Sequence, residues 1–199
     1  MAQLLVIDSS ARQHGSVSRQ LTERFLAHWL GKRPGDAVCR RDLGIEPLPH
    51  LDASLLDAWM QPAESHGAAE CAALQRANRL VGELVAADVL VLGAPMYNFA
   101  IPSTLKAWFD HVLRAGVTFR YSENGPQGLL HGKRAFVITA RGGIYEGGCQ
   151  DHQESYLRQV LAFMGIHDVT FIHAEGLNLG AEFMARGLEA AELRISQVI

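Results

Sequence analysis

The sequence predicts an α/β fold: a doubly wound, five-stranded parallel sheet in the order 2-1-3-4-5, with helices on both faces. Three observations lead there. Strand-like and helix-like segments alternate along the 199 residues. The strand-like runs, "QLLVID" and "DVLVLGA" above all, are apolar on consecutive positions and so have no polar face, as expected of strands covered on both sides. Five such strands suit this doubly wound order, whose ligand sits beyond the carboxyl ends of the strands where the first and third diverge.

Each element has a local reason. "QLLVID" (Gln3 to Asp8) is an apolar run that ends in small polar residues, hence the first strand. "SRQLTERFLAHWL" spaces Leu21, Phe25, Leu26 and Trp29 at helical intervals, and "KRPG" stops the helix because Pro and Gly cannot continue it. "AVCRRDL" reads as a second strand near an edge, since Arg interrupts it. Leu51 to His66 carries the weakest pattern. "AAECAALQRANRLVGELVAA" is a long helix, and "DVLVLGA" is the third strand. A helix follows Pro102. "VTFRY" alternates and precedes the turn signal Asn124-Gly125-Pro126, which gives an excursion or a short hairpin. "RAFVITA" is the fourth strand, "DHQESYLRQVLAFMG" a helix stopped at Gly165, "DVTFIHAEG" the fifth strand, and "GAEFMARGLEAAELRISQV" the closing helix. With no linker, repeat or low-complexity tract, residues 1–199 are read as a single domain.

Composition narrows the function classes. The formal net charge of -3 includes no basic block able to neutralise a run of phosphates, so nucleic acid is not an expected partner. Cys39, Cys71 and Cys149 are odd in number and widely spaced, which speaks against a disulfide framework or a zinc knuckle and for a reducing, cytoplasmic setting. The N-terminal apolar run is too short for a signal peptide, and no run is long enough for a membrane span. "GPQGLLHGKR" fails as a P-loop because Gln127 and Arg134 stand at required positions. Cys149, Asp151 and His152 are too few for a metal site, so no metal is expected. His111, His167 and His173 are read as surface or helix-end residues, and Trp29, Trp59 and Trp108 as core or interface. No nucleophile motif appears.

Three loops follow the first, third and fourth strands, and this topology brings them to one edge of the sheet. The first, "SSARQHGSVS", lacks G-x-G-x-x-G but carries Ser9, Ser10, Ser16 and Ser18 at a helix start, donors suited to one phosphate monoester; simple helix capping is the bland alternative. The second, Met96-Tyr97-Asn98-Phe99 between Pro95 and Pro102, can wall a flat heteroaromatic ring and touch its polar edge; the alternative is cover for a neighbouring helix or subunit. The third, Ala140-Arg141-Gly142-Gly143, lets backbone approach a ligand closely, unless it is a plain turn.

"PMYNF", "LKAWFDHVLRAGVTFRYSENGPQGL", "ITARGG" and the initial "SS…SVS" resemble bacterial FMN-dependent NADH-azoreductases, which are also NADH:quinone oxidoreductases of the flavodoxin-like fold. The likeness runs through nearly the whole chain. It implies one FMN per subunit, its phosphate on Ser10 and Ser16-Val17-Ser18, and its ring on Met96 to Phe99 and Ala140 to Gly143. It implies a homodimer with two sites at the interface, and NADH or NADPH as donor. Ala140 stands where the family often has Ser. Ala100 and "YEGGCQ" (Tyr145 to Gln150) also depart, the latter in the loop Ile144–Gln150 tied to acceptor choice. The activity so implied is two-electron transfer through FMN to quinones and azo compounds by a ping-pong mechanism, with no protein nucleophile and with Phe119, Tyr121 and Phe163 walling the substrate side. A flavodoxin-type electron carrier is the rival reading; such carriers tend to be more acidic.

Overall fold

The computed structural model describes residues 1–199, the side chain of Ala63 excepted. In chain order the elements are β1 (Gln3–Asp8), α1 (Val17–Lys32), β2 (Ala37–Asp42), α2 (Ala53–Met60), α3 (Ala68–Ala86), β3 (Val89–Pro95), α4 (Ser103–Val112), β4 (Phe119–Ser122), β5 (Gly125–Gly128), β6 (Arg134–Ala140), α5 (His152–Phe163), β7 (Asp168–Ala174) and α6 (Ala181–Val198).

Five parallel strands make the sheet, in the order β2-β1-β3-β6-β7. Counted over all strands the order is 2-1-3-6-7, not 2-1-3-4-5. The fourth and fifth strands of the chain, β4 and β5, form a separate antiparallel hairpin. The reason is chemical: Arg120, Tyr121 and Ser122 of β4 are all exposed, and such a strand cannot enter a sheet covered on both faces.

Successive residues of β1 feed opposite cores, which is why this strand has no polar face. Leu5 and Ile7 join Leu80, Leu84, Trp108, Phe109 and Leu161 from α3, α4 and α5. Leu4 and Val6 join Phe25 and Trp29 of α1 and Ala191 and Ile195 of α6. The weakly patterned segment contains α2, capped by Asp52, whose carboxylate accepts from the Leu55 N–H at 2.9 Å.

Of the histidines read as surface or helix-end residues, His111 is at the end of α4 but buried, and His173 lies in β7 and is half-buried. His111 is buried on α4, with Nε2 3.0 Å from the Pro49 carbonyl oxygen. His173 of β7 lies between Thr139 Oγ1, 2.8 Å from Nδ1, and Glu154 Oε2, 3.0 Å from Nε2. Burial, reinforced by the Arg141 charge, holds the His173 imidazole below its ordinary pKa. Apolar periodicity cannot report such a placement, because it scores a buried polar ring as surface.

Candidate active site

Parallel register brings four strand ends together. Asp8 pairs with Gly93, Pro95 with Ala140, and Ala140 with Ala174. The loops beyond them enclose a cleft of about 470 Å³.

The first loop forms one wall. Ser16 is the N-cap of α1, its side chain accepting from the Arg19 N–H, and Ser16 Oγ lies 3.2 Å from Ser18 Oγ. Ser10, Ser16, Val17 and Ser18 all line the cleft. Ser9 does not; its hydroxyl donates back to the Gly93 carbonyl at 2.8 Å. The first turn of α1 holds no acidic residue, so its free N–H groups and positive dipole end meet the cleft without a competing anion. Arg12 adds a cation on the rim. Below the loop, Asp8 is buried with Oδ1 unpartnered. Desolvation pushes its carboxyl up to about 6 against the opposing pull of Arg19.

The second loop is a strained two-residue turn. Tyr97 and Ala100 exchange backbone hydrogen bonds of 3.0 and 3.1 Å around Asn98 and Phe99. Both central residues have positive φ, 48° and 68°, as a type I′ turn requires. Asn tolerates this conformation; Phe does not, and such a residue costs on the order of 1–3 kcal/mol. The turn divides its side chains. Met96 and Tyr97 line the cleft. Asn98 lines an adjacent groove of about 750 Å³ with Ile101, Lys106 and Tyr156. The half-exposed Phe99 ring stands edge-on to Tyr145, centroids 5.9 Å apart.

The third loop is divided as well. Ala140 and Gly142 line the cleft. Gly143 lies under the Tyr145 ring, whose nearest atoms are 2.9 Å from where a Cβ would stand. Arg141 turns away into the protein and is fully buried. It pairs with Asp151 at 2.8 Å and Glu175 at 3.0 Å, and its Nε donates to Gln153 at 3.1 Å. Glu175 Oε1 also accepts from the Tyr145 and Glu146 N–H groups, at 2.8 and 3.0 Å. Asp151 is thus committed to Arg141 and to capping α5, and no group of three metal-ligating side chains exists among the described residues.

A fourth loop, after β7, was not singled out from the sequence. Its Leu177 and Asn178, with Met184 of α6, line the cleft, and the N–H groups of Leu177 and Asn178 bond the carbonyls of Arg141 and Gly142 at 3.1 and 2.9 Å. The same strand-end logic that selected three loops would have selected this one. Phe119, Tyr121 and Phe163 are elsewhere: with Leu113 and Val160 they line a separate hollow of about 310 Å³. Phe119 packs on Phe163 at 4.5 Å between centroids, while Tyr121 is 74% exposed.

A family model described as the flavodoxin-like fold matches residues 2–199. The chain belongs to that family. This flavodoxin-like chain is 67% identical over 198 residues to an FMN-dependent NADH:quinone oxidoreductase of Azotobacter vinelandii, covering 100% of each. It is 66% identical over 199 residues to FMN-dependent NADH:quinone oxidoreductase 3 of Pseudomonas aeruginosa, covering 100% of this chain and 93% of that one. Among solved structures, an FMN-dependent NADH-azoreductase of Bacillus anthracis in complex with FMN superposes with a TM-score of 0.87 at 27% identity, covering 100% of this chain and 99% of that one.

Proposed function

We propose that this chain is an FMN-dependent NADH:quinone oxidoreductase, with FMN held in the 470 Å³ cleft. The observation that carries the reading is the lining of that cleft: an acid-free helix N-terminus with Ser10, Ser16 and Ser18 on the first loop, and Met96, Ala140 and Gly142 on the loops that face it, with Tyr97 bridging to the first loop. The former suits a single phosphate and the latter a flat ring. The names of the relatives from Azotobacter and Pseudomonas support the same assignment.

FMN held there would supply the redox chemistry, two-electron transfer between a nicotinamide and an acceptor. The residues position and insulate it. Ser16, Ser18 and the first-turn N–H groups anchor the phosphate, and Tyr97 closes that end against the first loop. Met96, Ala140 and Gly142 shape the ring end. No protein nucleophile takes part.

Donor and acceptor then share one open face and bind in turn, which is ping-pong kinetics. Azo compounds are the second acceptor class, in keeping with the named activity of the Bacillus anthracis relative. Tyr121 reaches out from its own protomer, and the groove beside Asn98 is open. Both fit a homodimer in which the β4–β5 hairpin of one subunit helps close the site of the other. A single-electron carrier is the lesser reading, because a net charge of -3 offers little of the acidic docking field such carriers use. Steady-state rates with NADH varied at several quinone concentrations test the proposal. Parallel double-reciprocal lines are expected; no two-electron turnover would leave the carrier, and intersecting lines would overturn the shared face.

A further inference from the structure

The cation of the first α1 turn does not face the cleft. Arg19 sits three residues after the Ser16 N-cap, where the helix dipole disfavours positive charge. Its guanidinium turns back under the first loop. Nε donates to the Arg12 carbonyl at 2.9 Å, and Nη2 donates to the Ser10 carbonyl at 2.9 Å and to Asp42 Oδ1 at 2.7 Å. Nη1 completes a bidentate pair with the same carboxylate. Asp42, at the end of β2, is fixed in turn by the N–H groups of Gly44 and Ile45, at 2.9 and 3.1 Å. Gly44 closes the assembly: a Cβ there would collide with the Ser10 carbonyl oxygen and stand 2.8 Å from Arg19 Nη2.

We infer that Arg19 and Asp42 form a clamp that sets the phosphate selectivity of the cleft, acting through the loop rather than on the ligand. A loop of this kind offers an anion either carbonyl oxygens or N–H groups. Carbonyls that point inward repel a phosphate; carbonyls drawn backward leave the N–H groups and hydroxyls to face it. Arg19 draws back two carbonyls of the residues that flank Ala11. Asp42 holds the guanidinium in place and neutralises it, so that Arg19 does not itself become a mobile ligand for the anion. Both are positioning residues. The inference rests on the proposed phosphate end of the cleft.

The test compares FMN with riboflavin, which lacks only the phosphate, by titrating the apoprotein and following flavin fluorescence. Wild type is expected to prefer FMN strongly. Arg19→Lys keeps the charge but not the fork, and Gly44→Ala presses on the clamp from the other side. Each should lower FMN affinity by at least about ten-fold while riboflavin affinity stays within about three-fold. Inorganic phosphate should compete with FMN less well in both variants. Glu23→Gln, which breaks an exposed ion pair with Arg40 on the same elements, should leave the FMN-to-riboflavin ratio unchanged. Equal wild-type affinity for the two flavins would overturn the phosphate end itself, and the clamp with it. A wild type that discriminates, with variants that keep its ratio or lose both flavins in parallel, would overturn the clamp alone.

Discussion

Tyr97 joins the two ends of the cleft: its phenolic oxygen lies 3.2 Å from the backbone nitrogen of Ala11, whose N–H it accepts, and 3.4 Å from the hydroxyl of Ser10. The aromatic loop after β3 is thereby tied to the phosphate loop after β1. Aromatic residues at a strand tip are tolerated here because the phenol is hydrogen-bonded and its ring lies against a cleft wall. Tyr97→Phe keeps the ring and removes the tie. It should weaken FMN by about 1 kcal/mol, the net worth of a typical hydrogen bond. A titration that gives the wild-type dissociation constant would show that the tie contributes nothing.

Asp8 makes the apoprotein less stable at neutral pH than it would be with a neutral side chain. Its folded-state pKa is raised from 3.8 to about 6, chiefly by burial. Below pH 4 both folded and unfolded states hold the proton and nothing is lost. Between pH 4 and 6 the unfolded state ionises first, so stability declines, and above 6 the full loss remains. Asp8→Asn cannot ionise and should gain up to about 3 kcal/mol over wild type at pH 7.5, from 1.36 kcal/mol per pKa unit. It should gain little at pH 4. Urea unfolding at the two pH values measures this; a gain independent of pH would refute the assignment.

Arg141 is a structural hub, not a cleft residue, even though it lies in the middle of the third loop. Arg141→Met leaves Asp151 and Glu175 buried without their cation, a change that costs about 3–5 kcal/mol when a buried pair is broken. Glu175 then keeps only the Tyr145 and Glu146 N–H groups as donors. Denaturant unfolding should show the loss in full. A variant as stable as wild type would refute the hub.

Tyr121→Ala probes the assembly. If the hairpin of one subunit reaches the site of the other, the variant should change the Michaelis constants and the acceptor preference far more than its FMN content. Sedimentation of the wild type should give about twice the 21.8 kDa chain mass. A fully active monomer, or a variant that simply loses FMN, would place the hairpin elsewhere.

Much of this was legible in the residues. β1, β3 and β6 are consecutive apolar runs, and burial on both faces has no other simple cause. The loops at Ser10–Ser18, Met96–Phe99 and Ala140–Gly143 could be marked as convergent because parallel strands put their carboxyl ends on one edge. Asp52 as a cap and Asn178 as a cleft residue were not read from the sequence, and both come from the structure.

Other features depended on the folded chain alone. Whether Arg141 enters the cleft or leaves it is set by Asp151, Gln153 and Glu175, and Glu175 lies 34 positions away. Arg19 meets Asp42 across 23 positions. The β4–β5 hairpin was legible from "VTFRY" and its turn, but that its Phe119 packs on Phe163 of α5, apart from the cleft, was not. Periodicity and turn chemistry are local, so they specify which backbone segments form and which face is apolar. The direction of a charged side chain at a strand end is decided by partners that only long-range packing brings within hydrogen-bond reach.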